Sequence, residues 1–204
     1  MFGFTLKYKS QIIAFFKLFY LLLIMVMIVG GYAIYTQNSW YTFFYTLGVY
    51  LGRTALVFFC MSLFPGISRR FGIRSPLANS LQLIRRYLGI SVFMCASTHF
   101  TLVRLMDVAS GALLLAPKPF ELMGFTALTC LFLLFLTSND YSVFHLKRWW
   151  KRLHSLVYII AWILFGHIFL QGARDVWLFL ITVTAIAETC SWLYFYYRRN
   201  IRTT

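Results

Sequence analysis

The chain has 204 residues, of which 61% are hydrophobic, 20% aromatic and only 12% charged, with a mean hydropathy of +0.75. A water-soluble domain is roughly half apolar and about a quarter charged, so this composition excludes one and leaves an integral membrane protein. The net charge of +14 does not describe a nucleic-acid surface, because the basic residues gather at alternate loops rather than along one polar face.

Apolar runs of about 20 residues, the length that crosses a bilayer, recur along the whole chain. The first, Ile12–Tyr35, follows Lys7 and Lys9. It is too long for a signal-peptide core and no A-x-A site follows, so it reads as a retained helix. The second is Tyr45–Phe64, followed by a connection from Pro65 to Gln82 that contains Arg69, Arg70, Arg74 and Pro76. Span three, Leu83–Leu105, opens on Arg85 and Arg86, and Asp107–Pro119 with its apolar stretch Gly111–Ala116 reads as an outer loop at the interface. Span four, Phe120–Thr137, leads into a basic connection holding His145, Lys147, Arg148, Lys151 and Arg152. Span five is Leu153–Leu170, span six is Asp175–Tyr197, and Arg198, Arg199 and Arg202 lie in the tail. With Lys17, these groups place every basic residue except Arg53, Arg104, Lys118 and Arg174 on one side. The expectation is an all-α, single-domain bundle of six transmembrane helices with both termini cytoplasmic.

Ionisable residues within apolar spans usually pair, bind a ligand or carry charge. Span three runs outward, so His99 stands about 20 Å above Arg85 and Arg86 at 1.5 Å per residue. His154 lies at the inner mouth of span five, and His167 stands about 20 Å above it. His99 and His167 therefore share a level near the outer leaflet. Two imidazoles facing each other inside a helical bundle can hold haem iron from both sides. They face each other only if spans three and five are neighbours; otherwise each histidine simply bonds the backbone of an adjacent helix. His154 has no such partner, because the matching depth on span three is taken by Arg85 and Arg86. Thirteen residues also turn an ideal helix by about 220°, so His154 and His167 share a stripe only if the helix bends. His145 reads as a solvated loop residue.

Haem propionates need cationic partners, and Arg53 at the outer end of span two and Arg104 just past His99 are placed to supply them or to snorkel. Arg174 is a weaker candidate. Trp149 and Trp150 read as an interfacial anchor, with docking of a reductase as the other use. Glu188, the only acid well inside a span, suits a quinone or proton site or a bond to a neighbouring helix. Cys60, Cys95, Cys130 and Cys190 fall within spans at no metal-ligand spacing and read as small apolar fillers. The many phenylalanines face lipid or core.

GRTAL at Gly52–Leu56, RRYLG at Arg85–Gly89 followed by His99, and W-x-x-L-H-x-L-V-Y at Trp150–Tyr158 occur in order, the last within the stretch Leu136–Gln171. This set resembles the ferric reductase-like transmembrane family, and within it the haem-binding membrane subunits paired with a periplasmic methionine sulfoxide reductase. The resemblance implies a six-helix cytochrome core with haem b, ligated from His99 and from His154 and His167. Larger family members carry two histidines on each ligand helix, whereas span three here has one. The outer haem is retained on that pattern; His154 either completes a second, inner haem site with another ligand or borders an FMN or quinone site. The larger oxidases also carry a fused flavin and nicotinamide domain, which this sequence does not contain.

The leading expectation is a multi-pass protein of the bacterial inner membrane that serves as the redox subunit, not the catalytic one, of an oxidoreductase system. Electrons enter from a cytoplasmic flavin reductase or membrane quinol and leave to a periplasmic oxidoreductase, a molybdenum-dependent methionine sulfoxide reductase first among them. A second reading keeps the haem and changes the acceptor to ferric iron or another periplasmic redox protein. A third, from a different class, is a non-redox transporter or assembly protein, which predicts colourless protein that tolerates loss of His99 and His167.

Overall fold

The computed structural model describes residues 8–73, 75–111, 118–172 and 174–201. They form α1 (Lys9–Tyr35), α2 (Tyr41–Arg70), α3 (Pro76–Ala109), α4 (Pro119–Leu136), two short helices α5 (Asp140–Leu146) and α6 (Arg148–His154), α7 (Leu156–Leu170) and α8 (Val176–Ile201). Among the described residues there is no strand. Six helical segments are long and apolar enough to cross a membrane, α6 and α7 together forming one of them, so the expected all-α, six-span architecture is what the chain adopts. Lys7, Arg74, Arg202 and residues 112–117 of the expected outer loop lie outside the described residues.

The helices are longer than the apolar runs. α2 continues through Pro65 to Arg70, where a connection was expected. Proline removes one backbone donor from a helix, a loss that membrane helices tolerate when neighbours pack around the freed group, and Pro65 is buried. α3 begins at Pro76, whose fixed φ suits a first helical position, and it runs past Leu105 to Ala109. Asp107 therefore belongs to a helix and not to the outer loop. The basic segment after span four is likewise helical, broken at Lys147, a non-glycine residue with φ of 46°.

Helix packing closes a ring. α2 packs on α3, α3 on α4, α4 on α7, α7 on α8 and α8 back on α2, while α1 lies outside against α3 and α2. Tyr20 fastens α1 by donating to Tyr87 O of α3 at 2.8 Å, and Phe15, Leu18, Leu21 and Ile28 of α1 remain exposed, as a lipid-facing surface requires. One core joins all five ring helices through Phe59, Val92, Leu131, Ile160 and Ile181.

Candidate haem site

Both outer histidines are seated in the same way. The His99 ring on α3 lies against α2, where its Nδ1 bonds Gly48 O at 2.9 Å. A Cβ at Gly52, one turn along, would stand 2.8 Å from that Nδ1. On the other side of the ring of helices, His167 of α7 lies against α4. Its Nδ1 bonds Phe120 O at 2.7 Å, and a Cβ at Gly124, again four residues on, would stand 2.8 Å from its Cε1. A carbonyl and a glycine one helical turn apart thus cradle each imidazole, and only glycine leaves room for the ring.

A carbonyl can only accept, so each Nδ1 carries a proton, and in the neutral form of the ring the lone pair is on Nε2. Among the described residues neither Nε2 makes a hydrogen bond. Locking the far ring nitrogen to a backbone carbonyl is how proteins fix the tautomer and orientation of a metal-ligating histidine. Neighbouring spans do not carry the two rings, contrary to the condition set by the sequence. α3 and α7 stand across the ring with α4 between them. The donor set, two neutral Nε2 atoms in a helical ring, fits haem. Among the described residues no group of three or more His, Cys, Asp or Glu could hold a bare metal ion.

Below this level the ring is filled. Phe59, Val92, Leu131 and Ile160 each lie seven residues inward of Gly52, His99, Gly124 and His167, about 10 Å deeper. They form an apolar layer under the histidines. A third layer, polar, follows. Arg70 Nη1 donates to Glu188 Oε1 at 2.6 Å and to Ser191 Oγ at 2.7 Å, and its Nη2 donates to Tyr158 Oη at 2.8 Å. Glu188 is therefore joined to a neighbouring helix, the plainer of its two expected uses.

His154 belongs to this inner end and is already engaged. Its Nε2 lies 3.1 Å from Thr137 Oγ1, whose single proton goes to Leu133 O at 2.8 Å. The Thr137 hydroxyl accordingly accepts from His154 Nε2–H. Trp150 stacks on the imidazole, centroids 4.1 Å apart, and donates to Thr137 O at 2.9 Å. Arg86 pairs with Asp140 at 2.5 Å. One turn residue, Ser155, separates α6 from α7. These residues do not supply two facing ligands for a second haem.

The expected propionate partners divide. The Arg53 side chain makes no hydrogen bond among the described residues and is held between the rings of Tyr50 and Trp177, 5.3 and 5.5 Å from their centroids. Arg104 is committed to Glu121 at 2.9 Å and Asp107 at 3.2 Å, an ion-pair cluster that ties the end of α3 to the first turn of α4. Because Phe120 lies in that turn, Arg104 serves the site by holding the carbonyl that orients His167. Trp149 is exposed with Arg152 over its ring, as an interfacial anchor would be, whereas Trp150 packs inward. His145 is exposed but helical, its Nδ1 bonded to Tyr141 O. All four cysteines are free thiols. Sequence reasoning missed Gly48, Gly52, Phe120 and Gly124 as a set; the spacing of Gly48 and Gly52 was the visible signal for half of it.

The fold defines a multi-pass membrane protein, with His99 and His167 on opposite sides of one ring of helices. Residues 51–165, more than half the chain, match the family model described as ferric reductase-like transmembrane component, and the chain belongs to that family. It is 33% identical over 117 residues, 55% of the chain and 57% of the relative, to an Enterobacter protein named protein-methionine-sulfoxide reductase heme-binding subunit MsrQ. It is 37% identical over 91 residues, 43% of the chain and 41% of the relative, to proteins of that name from Brucella ovis and Brucella canis. The matches span about half the length of these bacterial relatives. No solved structure matches the chain.

Proposed function

We propose that this protein is a membrane haem b subunit of the bacterial inner membrane that passes electrons to a periplasmic oxidoreductase. The observation that carries the reading is the pair His99 and His167, each with Nδ1 bonded to a carbonyl of the adjacent helix and Nε2 free, on opposite sides of one ring of helices. Such a pair suits one haem, with Arg53 as a propionate partner. His99 and His167 would hold the haem, which would supply reversible one-electron chemistry. The chain's own part is to hold the two ligand rings, set their tautomer and shut water out from below with the apolar layer. Burial and the carbonyl bonds together set the potential.

The relatives' printed names favour a methionine sulfoxide reductase as the acceptor. Positive-inside asymmetry supports a cytoplasmic arginine-rich end, where a flavin reductase or a membrane quinol would deliver electrons. Neither FMN nor quinone has a set of residues here as well defined as the histidine pair. The direct test is vectorial. In proteoliposomes of known orientation, a donor presented only at the arginine-rich face should reduce the haem, and a purified periplasmic methionine sulfoxide reductase at the opposite face should reoxidise it. Failure of reoxidation by that enzyme, with reoxidation by ferric chelates intact, would shift the reading to a ferric reductase subunit.

A further inference from the structure

At the arginine-rich end, a cavity of about 520 Å³ lies between the α2–α3 turn, the first turns of α3 and the end of α8. It is lined by Arg69, Gly72, Ile73, Asn79, Gln82 and Arg198, among others. Neither the Arg69 nor the Arg198 side chain has a hydrogen bond or ion pair in the described residues, and among those residues no side-chain carboxylate is left for them. Of its five acids, Asp107, Glu121 and Asp175 lie at the opposite end, Asp140 is paired with Arg86 and Glu188 with Arg70. Arg69 and Arg70 are adjacent in the chain at this end, so the cationic excess is local. Two free guanidiniums, with the amides of Asn79 and Gln82 beside them, offer planar forks that match phosphate oxygens.

We propose that this cavity holds a phosphate group, carried by the headgroup of an acidic phospholipid. The level of the cavity favours the lipid over a soluble phosphate. It opens at the end of the membrane-spanning helices, and Ile73 and Leu77, 58% and 42% exposed, flank it with apolar surface for acyl chains. Basic pockets between helices on that face of a membrane protein bind acidic headgroups by this chemistry. The site lies at the other end of the bundle from the histidine pair, so it stands or falls apart from the haem reading.

The test is lipid retention measured by native mass spectrometry after extraction from vesicles of equal phosphatidylcholine and phosphatidylglycerol. Wild type should retain phosphatidylglycerol in preference, and the double variant Arg69→Gln, Arg198→Gln should lose at least about tenfold of it, the effect of a single charge-assisted bond. The variant Arg148→Gln, Lys151→Gln removes as much charge from the same face and should retain what wild type retains. Equal retention by wild type and the Arg69, Arg198 variant, or equal loss in both variants, overturns the proposal. Displacement of the lipid from wild type by millimolar inorganic phosphate would assign the cavity to a soluble phosphate and overturn the lipid assignment. Unchanged thermal midpoints show that each variant is folded.

Discussion

Replacing Gly124 by alanine puts a methyl group where the His167 ring now lies. Its carbon would stand 2.8 Å from Cε1 and 2.9 Å from Nδ1, against roughly 3.5–4.0 Å for an unstrained contact. The ring must retreat by more than about half an ångström, and the 2.7 Å bond from Nδ1 to Phe120 O lengthens with it. Gly52→Ala does the same to His99, with contacts of 2.8 and 3.0 Å to Nδ1 and Cε1. Overpacking of this kind costs about 1–3 kcal/mol, and disturbing the bond behind a metal-ligating histidine typically lowers affinity by about 10–100-fold. Helix propensity acts in the other direction, since alanine in place of glycine gains about 1 kcal/mol, so weaker helices would not explain haem loss. Gly89→Ala is the control, because nothing lies within 4 Å of the added carbon. Haem titration of the purified apoproteins, followed by redox potentiometry, should show weaker binding and a shifted potential for Gly52→Ala and Gly124→Ala and neither change for Gly89→Ala. Wild-type affinity and potential in the first two would refute the cradle.

Arg104→Ala should loosen the first turn of α4 and shift the haem potential without removing haem, because its partners are Glu121 and Asp107; an unchanged potential would return Arg104 to a purely structural role. Either Arg70→Ala or Glu188→Ala should lower stability by about 3–5 kcal/mol, the cost of stranding one member of a buried pair, read as an earlier thermal unfolding midpoint. The Arg86 guanidinium holds the exposed Asp140 carboxyl below its ordinary value of 3.8. A depressed acid stabilises the fold above its unfolded pKa and ceases to do so as pH falls through the folded value. Protease nicking of the α4–α5 connection should therefore rise below about pH 4 in wild type, while Asp140→Asn should be nicked equally at neutral and acid pH.

Hydropathy made the six spans and the α-helical class legible, and helix rise alone put His99 and His167 at one level. Boundaries were less legible, because Pro65 reads as a stop in isolation but is absorbed by packing in the helix that continues to Arg70. Depth along a helix can be counted from sequence; the neighbour that each face meets cannot. That is why Arg104 looked free for a propionate when Glu121 already held it, and why the opposition of α3 and α7 across α4 was not foreseen. His154 shows the same limit from the other side. Its lack of a histidine partner was readable from Arg85 and Arg86, but its bond to Thr137 and stacking on Trp150 depend on the turn at Ser155.

The central claim is a single haem between His99 and His167, and haem per polypeptide with reduced-minus-oxidised spectra tests it most directly. Wild type should carry one haem, His99→Ala and His167→Ala should carry none, and His154→Ala should keep a full complement with an unaltered spectrum. Colourless wild type after haem supplementation, or full haem in the His99 and His167 variants, would contradict the account.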